Sequence, residues 1–246
     1  MTAPVFVVER LETAEGGPYV LEGPEGRHAV SVKRLRAGED VVLTDGAGRW
    51  ARCVVLAAEG KDRLTVRVDT VGEEAEPSPR ITVVQALPKG DRGEVAVETM
   101  TEVGVDGIVP WSASRCITQW RGERGLKALA KWRATAREAG KQSRRVRFPE
   151  VADAANAKQV AALLAEADFA AVLHESGHRP LAAAELPAEG HIVLVVGPEG
   201  GVSPEELALF EEAGARAHVL GPTVLRTSTA GTAAAALLLG RTGRWG

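Results

Sequence analysis

A run of glycines follows directly on an apolar segment in the second half of the chain. Residues 192–196 read Ile-Val-Leu-Val-Val and open into Gly197-Pro198-Glu199-Gly200-Gly201. In an open α/β sheet, ligands bind beyond the carboxyl ends of the strands, where glycine lets the backbone approach a ligand closely. The run lacks the Gly-Lys-Ser/Thr ending of a P-loop and the G-x-G-x-x-G dinucleotide fingerprint. It predicts a cofactor loop, with a glycine-rich turn of no chemical role as the alternative.

A second loop of the same kind ends the next predicted strand. Residues 219–230 read Val-Leu-Gly-Pro-Thr-Val-Leu-Arg-Thr-Ser-Thr-Ala and lead into a helix. Two such loops at neighbouring strand ends would form one pocket. The predicted strand 170–173 ends at His174 on what should be the same side of the sheet. Because an isolated histidine is more often structural than catalytic, we expect His174 to be a wall residue of that pocket.

Positive charge is concentrated between Ser112 and Pro149. This segment carries eleven arginines and lysines against two glutamates, although the whole chain has a formal net charge of -3. Clustered cations favour phosphates and so predict a nucleic-acid surface, with an ordinary basic helix as the alternative. Three tryptophans in this region are expected chiefly to pack a helix against the sheet, with stacking on bases as the alternative: Trp111, Trp120 and Trp132.

The elements that must position these loops divide the chain in two. Residues 72–79, Gly-Glu-Glu-Ala-Glu-Pro-Ser-Pro, are acidic and carry two prolines, which is typical of a linker. Upstream, short β-rich segments and the hairpin signal Asp45-Gly46 predict a small β-domain. Downstream, apolar strands alternate with helices, which predicts a mostly parallel α/β sheet with both faces covered. Its expected strands are residues 81–86, 107–109, 170–173, 192–196 and 217–220.

Helix start and stop signals support this reading. Asp91 and Glu94 resemble a capping box before a helix that Gly104 would end. Ser203-Pro204-Glu205-Glu206 predicts a second capping box with proline at the first helical position, and Gly214 closes that helix. A last helix is expected from about Thr229 to Leu239.

Composition excludes several classes of protein. With 246 residues, 45% hydrophobic and 26% charged, the chain can fold as one large or two modest domains. No apolar run reaches the roughly 18 to 20 residues that span a bilayer, and no secretory signal begins the chain, so we expect a cytoplasmic protein. Cys53 and Cys116 lack nearby partners, which predicts reduced, buried thiols rather than disulfides or a metal site.

Several long motifs together resemble those of the ribosomal RNA small subunit methyltransferase E family, in the SPOUT superfamily of S-adenosylmethionine-dependent enzymes. They are VVGPEGGVSPEE and LGPTVLRTSTA in the two loops, with RHAVSVKRLRAGE, LTDGAG, LPKGDRGEVAVETMTEVGVDGIVPWSASRC and EAGKQSRRVRFPEV elsewhere. The resemblance covers nearly the whole chain. It implies a PUA-like β-barrel RNA-binding domain at residues 1–74, a linker at 73–79, and a SPOUT α/β domain at 80–246 with a deep trefoil knot.

The resemblance also implies the activity. It predicts methyl transfer from S-adenosylmethionine to N3 of a uridine in small-subunit (16S) ribosomal RNA, by a homodimer with no metal and no membrane association. The substrate would be the RNA or the assembled small subunit. A related SPOUT enzyme acting on another RNA, and a non-catalytic RNA-binding assembly factor, are the alternatives.

The chemistry assigns roles to three groups of residues. Because a neutral imide nitrogen is a poor nucleophile, a base or a cation that favours the anionic ring is required, and the catalytic candidates are Arg226 and Glu199. The alternatives are that Arg226 binds a phosphate or caps a carbonyl, and that Glu199 holds backbone amides of its own glycine loop. The predicted cofactor-binding residues are Leu173, His174, Gly197, Pro198, Glu199, Gly200, Gly201, Leu220, Gly221, Leu225, Arg226, Thr227, Ser228, Thr229 and Ala230. The predicted RNA-binding residues are Lys33, Arg34, Arg36, Arg115, Lys141, Gln142, Arg144 and Arg145.

Two positions depart from the family pattern. Many relatives carry glutamate where this chain has Ser228, and a Glu-Gln pair where it has Lys141-Gln142. A glutamate base at position 228 is therefore absent, and Lys141 is expected to make the RNA-facing surface more basic.

Overall fold

The computed structural model describes residues 3–246, which form two compact units. The first contains the described residues up to Glu76 together with the segment Gly140–Phe148. The second contains Pro77–Ala139 and Pro149–Gly246. Sequence analysis assigned residues 140–148 to the C-terminal domain, whereas the structure packs them into the first unit.

The first unit is a five-stranded sheet with one short helix and one π-helical turn. Its elements are β1 (Val5–Val7), β2 (Pro18–Leu21), α1 (Gly23–Arg27), the π-helical turn His28–Val32, β3 (Asp40–Thr44), β4 (Arg49–Glu59) and β5 (Arg63–Glu73). The strand order is β1-β3-β4-β5-β2, with β1 and β3 parallel and the other pairs antiparallel. The strands β1, β3, β4 and β5 match predicted segments, and the hairpin at Asp45-Gly46 joins β3 to β4 as predicted.

This sheet is curled rather than closed into the expected barrel. In the described residues its edge strands β1 and β2 do not pair with each other. Register shifts interrupt the pairing of β4 with β5 between Arg52 and Cys53 and between Val55 and Ala57. Bulges of this kind increase local twist and bend a sheet. The result is a half-barrel around a core that includes Phe6, Leu43 and Leu64.

Backbone hydrogen bonds hold the returning segment in the first unit. The amide of Gly48 donates to Val146 O at 3.1 Å, and the amide of Phe148 donates to Gly46 O at 2.8 Å. The Thr44 hydroxyl also donates to Val146 O at 2.8 Å. Gly46 has a φ of 77°, so the hairpin turn that receives the segment requires a left-handed residue. Sequence periodicity contains no signal for such non-local bonds.

The second unit is an α/β sheet in which all strand pairs are parallel. Its elements are β6 (Arg80–Ala86), α2 (Arg92–Val103), β7 (Gly107–Trp111), α3 (Gly122–Gln142, ending in the first unit), β8 (Glu150–Val151), α4 (Ala157–Ala165), β9 (Phe169–Leu173), β10 (Arg179–Pro180), a 3-10 turn (Leu181–Ala183), β11 (His191–Val196), α5 (Pro204–Glu212), β12 (Arg216–Val219) and α6 (Thr227–Arg241). The strand order is β10-β12-β9-β11-β6-β7-β8. The predicted parallel sheet is confirmed, and only the two-residue strands β8 and β10 had no sequence signal.

Two predicted caps have different outcomes. At α5, the Ser203 hydroxyl accepts from the Glu206 amide and the Glu206 carboxylate accepts from the Ser203 amide, so this capping box is confirmed. At α2, the Asp91 side chain makes no capping hydrogen bond, so the predicted capping box of Asp91 and Glu94 is wrong. Glu94 instead pairs with Lys131 at 3.0 Å. Gly104 ends α2 with a φ of 107°, as predicted.

The tryptophans and cysteines behave largely as expected. Trp111 is fully buried with its ring centroid 5.2 Å from that of Phe210, and Trp132 is also buried. Trp120 is only half-buried and meets Trp132 edge-on at 5.0 Å. Cys53 and Cys116 are free and buried, and burial raises the pKa of the Cys53 thiol to about 12.

Candidate functional site

A cleft of about 1080 Å³ lies at the carboxyl ends of five strands of the second unit. Its walls come from the loops after β6, β7, β9 and β11 and from the loop between β12 and α6. This is the edge of an open α/β sheet at which ligands bind. The two glycine-bearing loops that sequence analysis placed in one pocket both contribute to it.

Hydrogen bonds fix the glycine loop against the start of α6. The Thr227 hydroxyl donates to Gly197 O at 2.6 Å, and it accepts from the side-chain amide (Nε2) of Gln85 in β6 at 3.2 Å. Gly201 has a φ of 74°, a conformation that side chains other than glycine rarely adopt. The loop is therefore held in one shape by buried polar contacts.

Hydrogen bonds hold the loop after β7 against the first turn of α5 and the glycine loop. The buried Glu206 carboxylate accepts from the Ser114 amide at 2.7 Å and from the Ser114 hydroxyl at 2.9 Å. The neighbouring Arg115 guanidinium donates to Gly200 O at 3.2 Å. An ideal Cβ on Gly200 would lie 3.2 Å from Arg115 Cβ, so a side chain at position 200 would have to displace Arg115 by a few tenths of an ångström.

The two catalytic candidates both line the cleft. Arg226 is exposed and forms the N-cap of α6, where its carbonyl accepts from the Thr229 and Ala230 amides. One carboxylate oxygen of Glu199 accepts from the Lys89 amide at 3.1 Å. Its other oxygen makes no hydrogen bond within residues 3–246.

His174 is a wall residue whose ring stabilises a turn. The Ser176 amide donates to its Nδ1 at 3.1 Å, and the Ser176 hydroxyl lies 2.7 Å from the same nitrogen. Both contacts are local to the end of β9. The arrangement leaves His174 on the cleft surface without a catalytic partner in the described chain.

Most of the predicted cofactor residues line the cleft, but four do not. Those that do are Leu173, His174, Gly197, Pro198, Glu199, Gly200, Gly201, Leu225, Arg226, Thr227 and Ala230. The four that do not are Leu220, Gly221, Ser228 and Thr229. The chain reaches the cleft only from Val224 onward, and Ser228 is buried in α6.

Sequence analysis missed several wall residues. Lys89, Gly90 and Arg92 follow β6, Ile117 follows β7, and Glu175 follows β9. The rule that ligands bind beyond strand ends applies equally to these strands and could have found them. The signal was obscured because these loops are not glycine runs.

The predicted RNA-binding residues are dispersed over both units. In the first unit Lys33, Arg34, Arg36, Gln142 and Arg144 are exposed, and Arg145 is half-buried with its Nε donating to Arg147 O at 2.8 Å. In the second unit Arg115 is exposed on the cleft wall.

The structure does not support the prediction that Lys141 faces RNA. Its side chain is 4% exposed, and its ammonium lies 2.7 Å from the Glu25 carboxylate, which is 15% exposed. A buried lysine needs a paired carboxylate, so this side chain holds the first unit together rather than facing RNA.

Several cations of the basic segment are already engaged within the protein. Lys131 pairs with Glu94, Arg133 pairs with Asp153, and Arg147 donates to Glu74 O. Within residues 3–246, four exposed cations of the segment make no ion pair or side-chain hydrogen bond: Arg121, Arg124, Lys127 and Arg144. These four side chains have no protein partner that would compete with a phosphate.

Two further classes of site have no support in residues 3–246. No group of three or more His, Cys, Asp or Glu side chains there could hold a metal ion. No helix in the same range is long and apolar enough to cross a membrane.

Two family models of RNA methyltransferase domains match the chain. A family model described as an RNA methyltransferase domain matches residues 75–239, and one described as an RNA methyltransferase PUA domain matches residues 21–69. The ribosomal RNA small subunit methyltransferase E of Mycobacterium bovis is 44% identical over 249 residues, which cover 100% of this chain and 94% of that protein.

Two solved structures resemble the model over 98% of both chains. A ribosomal RNA small subunit methyltransferase E from Neisseria gonorrhoeae, bound to S-adenosylmethionine, has a TM-score of 0.84 and 29% identity. A protein from Legionella pneumophila, solved with the bound cofactor S-adenosylmethionine, has a TM-score of 0.85 and 28% identity.

Proposed function

Because the chain belongs to the ribosomal RNA small subunit methyltransferase E family, we propose that it methylates N3 of a uridine in 16S ribosomal RNA with S-adenosylmethionine as methyl donor. The observation that carries the proposal is the cleft, in which two glycine-bearing loops meet at the carboxyl ends of parallel strands. Relatives solved with S-adenosylmethionine support the choice of cofactor.

The residues of the cleft fit this cofactor. Leu173, Val196 and Leu225 supply apolar walls for an adenine ring, and the glycine loop supplies backbone groups for polar contacts. The volume of about 1080 Å³ is slightly above the ~300–1,000 Å³ typical of small-molecule sites, which leaves room for a nucleotide beside the cofactor. When bound, S-adenosylmethionine supplies an electrophilic methyl group on a sulfonium.

Arg226 and Glu199 carry the proposed proton chemistry. A uracil ring that loses its N3 proton becomes an anion, and the exposed guanidinium of Arg226 would stabilise that anion across the cleft. The unbonded oxygen of Glu199 would accept the proton, while its other oxygen stays on the Lys89 amide and holds the carboxylate in place. The hydrogen bonds between Glu206 and Ser114 keep Arg115 at the glycine loop.

The same family membership motivates four structural proposals. We infer that the chain is a homodimer, that α6 is threaded through a trefoil knot, that residues 1–74 and 80–246 are the functional domains, and that the protein acts in the cytoplasm. The close packing of α6 is compatible with either topology: an ideal Cβ on Gly231 would lie 2.9 Å from Met100 Sδ and 3.2 Å from a Val83 methyl. A molar mass of 25.9 kDa in light scattering, which is that of one chain, would contradict the dimer. An experimental structure in which α6 does not pass through a loop of the backbone would contradict the knot.

The proposed RNA contacts are the exposed cations and their neighbours. They are Lys33, Arg34, Arg36, Arg115, Gln142, Arg144 and Arg145, without Lys141. Arginine and lysine at such positions contribute affinity through phosphates, independently of sequence.

Calorimetry and label transfer test the function. We expect the protein to bind S-adenosylmethionine and to transfer its labelled methyl group to small-subunit RNA or to the assembled subunit. An RNA-binding assembly factor would bind the RNA without the cofactor. A SPOUT enzyme for another substrate would bind the cofactor but would label transfer RNA or large-subunit RNA instead. Either result would overturn the proposal.

A further inference from the structure

A second, smaller cavity of about 270 Å³ lies beside the cleft, between α2 and the start of α3. Trp120 and Trp132 form one wall, and Leu87, Pro88 and Ala128 contribute further apolar surface. Trp120 is half-buried, so part of its indole is open to this cavity. Neither the cofactor nor the proton chemistry proposed above uses this place.

Glycines bring the two tryptophans to the cavity. An ideal Cβ on Gly93 of α2 would lie 2.6 Å from the Trp132 ring, so only glycine lets this indole lie against the helix. An ideal Cβ on Gly125 of α3 would lie 2.9 Å from the backbone of Trp120. The edge-on contact of the two indoles then orients Trp120. The cavity is therefore built from constrained groups rather than from a loose surface.

The chemistry of the cavity suits one planar heteroaromatic ring. Its aromatic and apolar wall is matched by polar groups, namely the Gln119 side-chain amide and the Glu94 carboxylate, whose charge is balanced by Lys131 at 3.0 Å. Gln119 is exposed and its side chain makes no hydrogen bond in the described chain. A volume below the ~300 Å³ of ordinary small-molecule sites leaves space for a single ring system rather than a whole nucleotide.

The surrounding charge favours a ligand attached to phosphates. Arg124 lies on the wall of the cavity, and Arg121 and Lys127 are exposed nearby in sequence. In residues 3–246 none of these three cations pairs with a carboxylate. An unpaired nucleobase on a phosphate backbone satisfies both the wall and the charges.

The cavity lies next to the cleft. Gly90 lines both, and the segment after β7 places Arg115 and Ile117 on the cleft and Gln119 and Trp120 on the cavity. The Thr118 hydroxyl fixes this segment by donating to Pro88 O at 2.9 Å.

We propose that this cavity binds an unpaired nucleobase of the RNA substrate that flanks the methylated one, with Trp120 as the stacking surface and Gln119 as the hydrogen-bonding group. The proposal rests on the proposed function for the identity of the RNA. A flanking base held here would position its neighbour in the cleft and add sequence preference.

Binding of RNA to Trp120→Leu, Trp120→Phe and Gln119→Ala tests the site. Loss of one stacking contact costs about 5- to 150-fold in affinity, so we expect Trp120→Leu to weaken RNA binding in this range while Trp120→Phe restores most of it. Gln119→Ala should weaken binding less and change the base preference. Trp245→Leu removes an exposed tryptophan at the C-terminus and is the matched control.

The decisive experiment is a double-mutant cycle with abasic RNA. Each unpaired nucleotide around the modified uridine is replaced in turn by an abasic site. One replacement should weaken binding to the wild type but not to Trp120→Leu. Purely additive losses at every position, or wild-type RNA affinity in both Trp120→Leu and Gln119→Ala, would overturn the site. A changed oligomeric state in Trp120→Leu would also overturn it, because the face would then lie between copies.

A second probe separates this proposal from the proposed function. Affinity for a short unstructured oligonucleotide of mixed sequence depends on stacking but not on methylation. If the wild type transfers no methyl group yet this affinity falls in Trp120→Leu, the proposed function fails, and the cavity remains a nucleobase site without a flanking role in methylation. If the wild type transfers methyl groups and binds S-adenosylmethionine, but Trp120→Leu changes neither the affinity for the substrate RNA nor that for the oligonucleotide, only the cavity assignment fails.

Discussion

Arg226 stands at the start of α6 with its side chain exposed on the cleft wall. Because its carbonyl rather than its guanidinium caps the helix, replacing the side chain should leave the fold intact. We expect Arg226→Ala to bind S-adenosylmethionine normally but to lower the single-turnover rate of methyl transfer by about 10²- to 10³-fold. Arg226→Lys keeps the charge and should recover part of the rate. A wild-type rate in Arg226→Ala would remove Arg226 from the chemistry.

Arg144 combines a charge with a strained backbone. Its φ is 61°, and it follows α3 at a position where the Arg144 amide donates to Lys141 O and the Arg145 amide donates to Gly140 O. This is the Schellman pattern, in which glycine is the usual left-handed residue. Arginine in this left-handed conformation therefore lowers the free energy of unfolding relative to glycine.

Two substitutions separate the strain from the charge. Arg144→Gly should raise the free energy of unfolding by about 1 kcal/mol, because glycine tolerates this conformation, whereas Arg144→Ala keeps the strain. Both should flatten the slope of log RNA affinity against log salt by roughly 0.7 to 0.9. Chemical denaturation and RNA titrations at several salt concentrations measure the two effects. Unchanged salt slopes would show that Arg144 contacts no phosphate.

At the scale of the element, the glycine loop after β11 and the segment after β7 form one rigid wall. Gly200 lies against Arg115, whereas an ideal Cβ on Gly221 would meet nothing within 4 Å. We expect Gly200→Val to displace the loop and abolish S-adenosylmethionine binding in calorimetry. Gly221→Val, in the turn after β12 but off the cleft wall, is the control and should bind normally. Equal affinities would mean that the glycine loop does not form the cofactor site.

The junction of α1 with the end of α3 depends on a buried ion pair. Removing one partner of such a pair leaves an uncompensated buried charge and costs about 3–5 kcal/mol. Glu25→Gln should therefore lower the free energy of unfolding by that order, since Lys141 stays buried. The double variant Glu25→Gln with Lys141→Met removes both charges and should regain most of the loss. If the two single effects simply add, the ion pair does not hold this junction.

The sequence predicts elements better than it predicts their partners. The strand β11, the capping box of α5 and the stop of α2 at Gly104 follow from local chemistry, and each is present. Lys141 was misread because its helix is basic and its partner Glu25 is distant in sequence. Lys89 and Glu175 were missed because ordinary loops also reach the cleft. Contacts between residues distant in sequence, rather than local propensity, place Lys141.

At the scale of the whole molecule, the buried His218 and the half-buried His191 should make stability depend on pH. Burial is the main cause that lowers the pKa of both His191 and His218 below the ordinary value of 6.5. Their neutral forms are therefore favoured in the folded state. The unfolded state binds more protons as the pH falls through 6.5, so this stabilisation is complete above that pH and is lost below it.

We expect the free energy of unfolding to fall between pH 7 and pH 5, and to fall less steeply in His218→Gln. His218 is the better target because it is buried in β12 and its Nδ1 has no hydrogen-bond partner in residues 3–246. Urea denaturation across this pH range measures the slope, which is independent of the baseline stability of the variant. Parallel pH profiles for the two proteins would contradict a titrating role for His218.

The path of the chain could be predicted only in outline. The β-rich first part and the parallel sheet follow from composition and periodicity, and the break between the units at Glu76 and Pro77 falls within the acidic segment 72–79. The return of residues 140–148 to the first unit does not, because it depends on backbone bonds to Gly46 and Gly48 that leave no trace in local pattern. The curled rather than closed sheet depends on bulges in β4 that have the same non-local origin.

The most direct test of the account is nucleoside mass spectrometry of small-subunit ribosomal RNA. The RNA or intact subunits are taken from cells that lack the gene, incubated with purified protein and S-adenosylmethionine, and digested to nucleosides. The account predicts that N3-methyluridine appears with the wild type and is reduced in step with the rate for Arg226→Ala. Absence of any new methyl group, or a methyl group on the ribose or on another ring position, would contradict it.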